Sequence, residues 1–145
     1  MKHKGSQSDF IEQRNKELLT AYNDIIYSTP EPVSPDEVFR RLAAAPCSRL
    51  WISEERAAEV VAAMRRRPDA PMGKGMRRAM YSLLFRRTMA VLASRPGTPL
   101  STAAAMAVRK PSPSFFLAPS SCRVIVSRLR RKRVREIRRR LLHTF

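Results

Sequence analysis

The side chains best suited to chemistry lie near the end of the chain and are basic. From residue 123 to residue 140 there are ten lysines and arginines and one acid, Glu136. A guanidinium group offers a planar fork of hydrogen-bond donors that fits phosphate oxygens and the edge of guanine. Like charges three and four residues apart destabilise an isolated helix, so a polyanion would stabilise this segment. We predict a nucleic-acid-binding surface formed by Arg109, Lys110, Arg123, Arg128, Arg130, Arg131, Lys132, Arg133, Arg135, Arg138, Arg139 and Arg140. The alternative is a solvated basic tail.

Groups suited to catalysis or to metal binding are sparse by comparison. His3 and His143 lie near opposite ends of the chain and have no obvious partner. The acidic pairs at 36–37 and 54–55 stand where helices are predicted to begin, and acids there stabilise the first turn. The sequence shows no glycine-rich phosphate loop and no metal-ligand spacing. We therefore expect a non-enzymatic protein with no catalytic residue, no bound metal and no cofactor.

The charge of the chain is concentrated in its second half. Residues 1–69 hold 11 basic and 11 acidic residues, whereas residues 70–145 hold 18 basic residues and one acid, which accounts for the whole net charge of +17. A bias of the gene towards arginine, alanine and proline codons would explain the abundance of arginine. It would not explain why acids almost vanish after Asp69. A one-sided field of this size attracts polyanions and speeds their capture.

Length and composition set further bounds. A chain of 145 residues, 43% of them hydrophobic, is long enough for one small core or two and too apolar to be wholly disordered. No stretch approaches the roughly 20 apolar residues of a membrane span, so we expect no integral membrane association. No apolar run follows Met1, so we expect no secretory signal. Cys47 and Cys122 are too few for a disulfide framework, which favours a reducing cytoplasm, bacterial or phage-associated.

The spacing of apolar residues predicts an all-α protein. Six helices are expected, at about 9–28, from Ser34 to before Pro46, after Ser53, at about 75–94, from Thr98-Pro99 to about Arg109, and from near Pro119. Ser34 is the expected N-cap of the second helix, with Glu37 completing a capping box. We divide the chain into a flexible tail (1–8), a first three-helix unit (9–67), a linker (68–75), a second three-helix unit (76–132) and a basic helical extension (133–145).

The two units are predicted to be copies of one another. Residues 46–67 align with residues 111–132 at an offset of 65 without a gap. The order of residue types is kept through a proline loop, an apolar helix and a basic end, where Arg65-Arg66-Arg67 meets Arg130-Arg131-Lys132. The alternative is two unrelated amphipathic helices that each follow a proline loop.

Each unit has the helix order of a helix-turn-helix motif, whose last helix lies in the major groove of DNA. The predicted turn, about seven residues, is longer than the usual three to four or so, and simple packing of three helices remains the alternative. The aromatic residues before the third helices, Trp51, Phe115 and Phe116, are suited either to stacking on bases or to closing the core. We favour closure of the core.

The block from Ala45 to Ala57, together with the later segment from Phe115 to Ser121, resembles segments of short basic proteins of gut anaerobic bacteria and their phages. The resemblance covers most of residues 14–130. It implies a phage or mobile-element setting, and it assigns no activity and no role to any residue.

These observations favour a non-enzymatic nucleic-acid-binding protein, with DNA slightly preferred over RNA and the second unit and final helix contacting the phosphate backbone. The alternative is a structural or adaptor protein of a phage or mobile element that binds an acidic protein partner. A third possibility is a basic amphipathic helix lying on an anionic membrane. The oligomeric state is left open.

Overall fold

The computed structural model of the chain describes residues 3–144, with side chains from residue 10 to residue 143. The described part is all-helical, as predicted, and it contains no strand. The helices are α1 (His3–Ser28), α2 (Pro35–Ala43), α3 (Glu54–Arg66), α4 (Gly75–Ser94), α5 (Leu100–Arg109) and α6 (Pro119–Thr144). No helix in this range is long and apolar enough to cross a membrane.

Helix α2 begins after its predicted N-cap, Ser34, and α3 begins directly after Ser53, as predicted. The Ser34 hydroxyl accepts from the Glu37 N–H at 3.2 Å, and the Ser53 hydroxyl accepts from the Arg56 N–H at 3.1 Å. The carboxylate of Glu37, however, accepts from Arg40 and Arg41 in the next turn. Only the serine half of the predicted capping box is therefore seen among the described hydrogen bonds, because two cations within a turn compete for that carboxylate.

The first and last helices are the longest of the six, and α1 is longer than predicted. Helix α1 begins at His3, within the segment predicted to be a flexible tail, and Met1 and Lys2 lie outside the described residues. Helix α6 runs without interruption from the predicted third helix into the predicted helical extension at residue 133, and Phe145 lies outside the described residues. The third helix and the extension are thus one helix of 26 residues.

The helices pack in two groups that do not follow the order of the chain. Helices α1, α2 and α6 share one core, built around Leu18, Leu42 and Val126. Helices α3, α4 and α5 share the other, built around Val60 and Leu84. Each third helix therefore packs on the first two helices of the other predicted unit.

The connections before α3 and α6 make this exchange possible. They span residues 44–53 and 110–118, long enough to carry a helix from one group to the other. They cross at a pair of backbone hydrogen bonds, from Cys47 N–H to Ser112 O at 3.0 Å and from Ser112 N–H to Cys47 O at 2.9 Å. Because α2 packs on α6 and has no contact with α3 in the described residues, the packing does not support the helix-turn-helix interpretation.

The aromatic residues of these connections lie in the cores. Trp51 is 9% exposed and Phe115 is 2% exposed, and their rings stack with centroids 6.5 Å apart. The indole N–H of Trp51 donates to the Cys47 sulfur at 3.2 Å. Phe116 is half-buried against the other core. These contacts agree with closure of the core and leave no indole face open for stacking on a base.

Candidate nucleic-acid interface

Helix α6 consists of an anchored part and a projecting part. Cys122 and Val126 are buried against α1 and α2, and Leu129 is half-buried. From Arg130 to His143 every side chain is exposed. At 1.5 Å per residue, these 14 residues extend the helix about 21 Å past its last apolar contact. We call residues 130–144 the arm.

Two of the predicted phosphate-binding residues hold α6 on the body. The Arg123 guanidinium lies 3.6 Å from an Asp36 carboxylate oxygen and over the ring of Phe39. The Arg130 guanidinium donates to the Tyr22 hydroxyl at 3.3 Å and lies over the ring of Tyr22, 5.7 Å from the ring centroid. Each cation–π contact of an exposed guanidinium stabilises the packing by about 0.5–1 kcal/mol. Both residues therefore position the arm at its base.

The structure does not bring Arg109 and Lys110 to this surface. Arg109 ends α5, which has no contact with α6 in the described residues. Its guanidinium donates to both carboxylate oxygens of Glu54, at 2.7 and 2.9 Å, and this bonding to Glu54 raises the pKa of Arg109. Lys110 is exposed beside it, and its carbonyl accepts from Arg87. Neither residue therefore lies on an element that contacts α6, and Arg109 is ion-paired with Glu54.

The arginines of α6 are densest on one side. Successive residues of a helix turn by about 100°, so the side opposite Cys122 and Val126 faces solvent. A shallow depression on that side is lined by Ser127, Arg128, Arg130, Arg131, Val134, Arg135 and Arg138. Lys132, Arg133, Arg139 and Arg140 lie on the other sides of the helix. The projecting helix is therefore basic all round, with its highest charge density facing away from the body.

Most of these cations have no counter-charge. Within the described part of the chain, seven residues of α6 make no hydrogen bond or ion pair through their side chains: Arg128, Arg131, Lys132, Arg133, Arg135, Arg138 and Arg139. In the first half, by contrast, Arg40 and Arg41 pair with Glu37, and Arg56 pairs with Glu59. Among the described residues, α6 thus carries the longest run of unpaired cations, and a shorter run, Arg65 to Arg67, stands at the end of α3.

An apolar stripe also runs along the arm. Val134, Ile137 and Leu141 follow one another at intervals of three and four residues and are about half exposed, at 49%, 46% and 54%. They lie about 70° around the helix from the buried stripe of Cys122 and Val126. The spacing of apolar residues in the sequence indicates the same change of direction beyond Lys132. Phosphate binding alone does not use these side chains.

Sequence reasoning missed the residues that fix the direction of α6. Tyr22, Asp36 and Phe39 belong to the neutral first half and reach α6 only because the third helices are exchanged between groups. The aromatic residues stood on predicted helical faces, which was the only available signal. Glu54 was read as an acid of a first turn, and its contact with Arg109 across 55 residues gave no sequence signal.

Comparison of the chain with protein-family models, with curated proteins and with solved structures finds no match. Any assignment of function therefore depends on the geometry and charge described above.

Proposed function

We propose that this chain is a non-enzymatic nucleic-acid-binding protein that holds the phosphate backbone of duplex DNA with the arm and the solvent face of α6. The observation that carries the proposal is the set of seven unpaired cations on one helix, most of them beyond the last core contact. The two packing groups form the body, and Arg123 and Arg130 set the direction in which the arm leaves it.

The dimensions of the arm suit a DNA duplex. B-DNA carries one phosphate charge per roughly 1.7 Å of axis, so a length of about 21 Å presents about 12 charges. The major groove, about 12 Å wide, admits a single α-helix, whereas the major groove of A-form RNA is too narrow for one. A bare helix with cations on every side can contact the phosphates of both groove walls. This geometry favours duplex DNA over duplex RNA.

A fluorescence titration tests the proposal. Labelled duplex DNA, single-stranded DNA and structured RNA are titrated at about 50 and 200 mM salt. We expect tightest binding to duplex DNA and a steep loss of affinity at the higher salt. A chain truncated after Leu129 keeps the buried residues of α6 and should lose this salt-sensitive binding. Equal affinity of the truncated chain would contradict the proposal.

The apolar stripe of the arm favours one second candidate function, an adaptor that binds an acidic amphipathic helix of a partner protein, in a phage or mobile element. A partner helix would cover Val134, Ile137 and Leu141 with its own apolar face and pair its acids with the flanking arginines. A second copy of the arm is a poor occupant, because two such helices would repel each other.

Substitution of the stripe distinguishes the two candidates. Replacing Val134, Ile137 and Leu141 by serine keeps every cation of the arm. We expect DNA affinity to change by less than about threefold, because no phosphate contact is lost. If this variant loses DNA binding while its arm stays helical, the stripe takes part in binding DNA. If the parent binds no nucleic acid, the adaptor function becomes the better account.

A further inference from the structure

Corresponding residues of the two predicted units occupy corresponding places in the two cores. One core takes its third helix from the first unit and the other from the second. Residues 65 apart in sequence are buried in, or packed against, opposite cores: Leu42 and Ala107, Ala43 and Val108, Leu50 and Phe115, Ala57 and Cys122, Val60 and Ile125, Val61 and Val126.

The backbone contact between the two connections has the same spacing. Cys47 and Ser112 are also 65 residues apart, and each donates its N–H to the carbonyl of the other. In a contact between two copies related by a two-fold axis, each residue meets its own equivalent in this reciprocal way. The packing therefore supports an arrangement in which α3 and α6 are equivalent helices on two similar three-helix groups.

If α3 and α6 are equivalent, their basic ends are equivalent too. The last residue of α3 that packs on its core is Met64, and the corresponding residue of α6 is Leu129. Arg65, Arg66 and Arg67 follow Met64 directly, as Arg130, Arg131 and Lys132 follow Leu129. Arg65, Arg66 and Arg67 are all exposed, and their side chains make no hydrogen bond or ion pair within residues 10–143.

The two ends differ in length. Helix α3 stops at Arg66 and is followed by Pro68, which cannot continue a helix, whereas α6 continues to Thr144. The end of α3 therefore offers three cations, close to the acid Asp69, while α6 offers seven unpaired cations. Because each phosphate contact adds to the salt-dependent affinity, the site on α3 must be the weaker of the two.

We infer that the basic end of α3, formed by Arg65, Arg66 and Arg67, is a second phosphate-binding site, so that one chain holds two segments of nucleic acid at once. The inference rests on the proposed function of α6. The two sites belong to different packing groups, and α3 has no contact with α6 within the described residues. When both segments belong to one nucleic-acid molecule, binding of the arm places the second segment at a high effective concentration near the weaker site. A separate duplex must bind there through the affinity of the weaker site alone.

A capture assay tests this inference on the full chain. A biotinylated duplex is immobilised, the protein is bound to it, and a second, fluorescent duplex of the same sequence is added. We expect the parent to capture the second duplex. In the R65Q/R66Q/R67Q variant, we expect binding to the first duplex to stay within about twofold and capture of the second to fall by at least about tenfold, because up to three phosphate contacts are lost. The R65K/R66K/R67K variant keeps the charge and should restore capture.

The outcomes separate the inference from the function on which it rests. If the parent binds no first duplex, the proposed function fails and the inference fails with it. If the parent binds the first duplex and the glutamine variant captures the second as well as the parent does, the inference alone is overturned. The R40Q/R41Q/R56Q variant, which removes three paired arginines, is the control for charge and should capture like the parent.

Discussion

Neutralising the solvent face of the arm should reduce the salt dependence of DNA binding by a definite amount. Arg131, Arg135 and Arg138 face away from the body and have no partner in the described part of the chain. For B-DNA, the logarithm of the affinity falls with the logarithm of the salt concentration with a slope of about −0.9 per phosphate contacted. If all seven unpaired cations of α6 contact phosphate, the slope is about −6.3.

The R131Q/R135Q/R138Q variant removes three of those contacts. Its slope should fall to about −3.6, so raising the salt from about 50 to 200 mM should weaken its binding about 150-fold, against about 6,000-fold for the parent. Binding of a labelled duplex, measured by anisotropy at four or more salt concentrations, gives both slopes. The R40Q/R41Q/R56Q variant carries the same net charge and removes only ion-paired arginines, so it should keep the slope of the parent. Equal slopes for the two variants would refute the reasoning, because net charge rather than the arm would then govern binding.

Three further predictions concern the body. Leu42 is fully buried in the core of α1, α2 and α6. Replacing it by alanine should lower the free energy of unfolding, measured by urea denaturation, by about 2–5 kcal/mol. A decrease below about 1 kcal/mol would contradict this core. Burial raises the pKa of the Cys122 thiol to about 11, so the folded state keeps a proton that the unfolded state releases near its ordinary value. The protonated Cys122 thiol contributes its full stabilisation of the folded state below about pH 8, and this contribution is lost as the pH rises towards 11. The difference in unfolding free energy between the parent and C122A should therefore shrink over that range. A difference that stays constant would contradict the raised pKa. Trp51, the single tryptophan, is 9% exposed, so its emission should be blue-shifted and unchanged by single-stranded DNA, whereas quenching would indicate stacking on bases.

Local features of the fold were predictable because their causes are local. Ser34 caps α2 as expected, and α4 has the predicted bounds, because a cap and an apolar periodicity depend on residues within a few positions. The start of α1 was misplaced, since the polar residues before Asp9 give no apolar period.

The exchange of third helices was not predictable from the same signals. The same apolar helix faces are buried whether each third helix packs on the first two helices of its own unit or on those of the other unit. Which of the two arrangements forms depends on the path of residues 44–53 and 110–118. The partners of the basic residues depend on that path as well. Asp36 and Tyr22 meet α6, and Glu54 meets Arg109, only after the helices have packed. The sequence therefore indicated how much basic charge α6 carries, and the structure distinguishes the arginines that hold the helix from those that remain open.

Hydrogen exchange of the full chain with and without a DNA duplex tests the central claim most directly. Without DNA, amides of the anchored part of α6, residues 122–129, should exchange slowly. Those of residues 131–143 should exchange fast, because every side chain in this range is exposed and the like charges of the arm repel one another. With the duplex, we expect protection to appear across residues 131–143. Protection confined to other helices, or none under conditions where the duplex is bound, would contradict the assignment of the arm as the nucleic-acid interface.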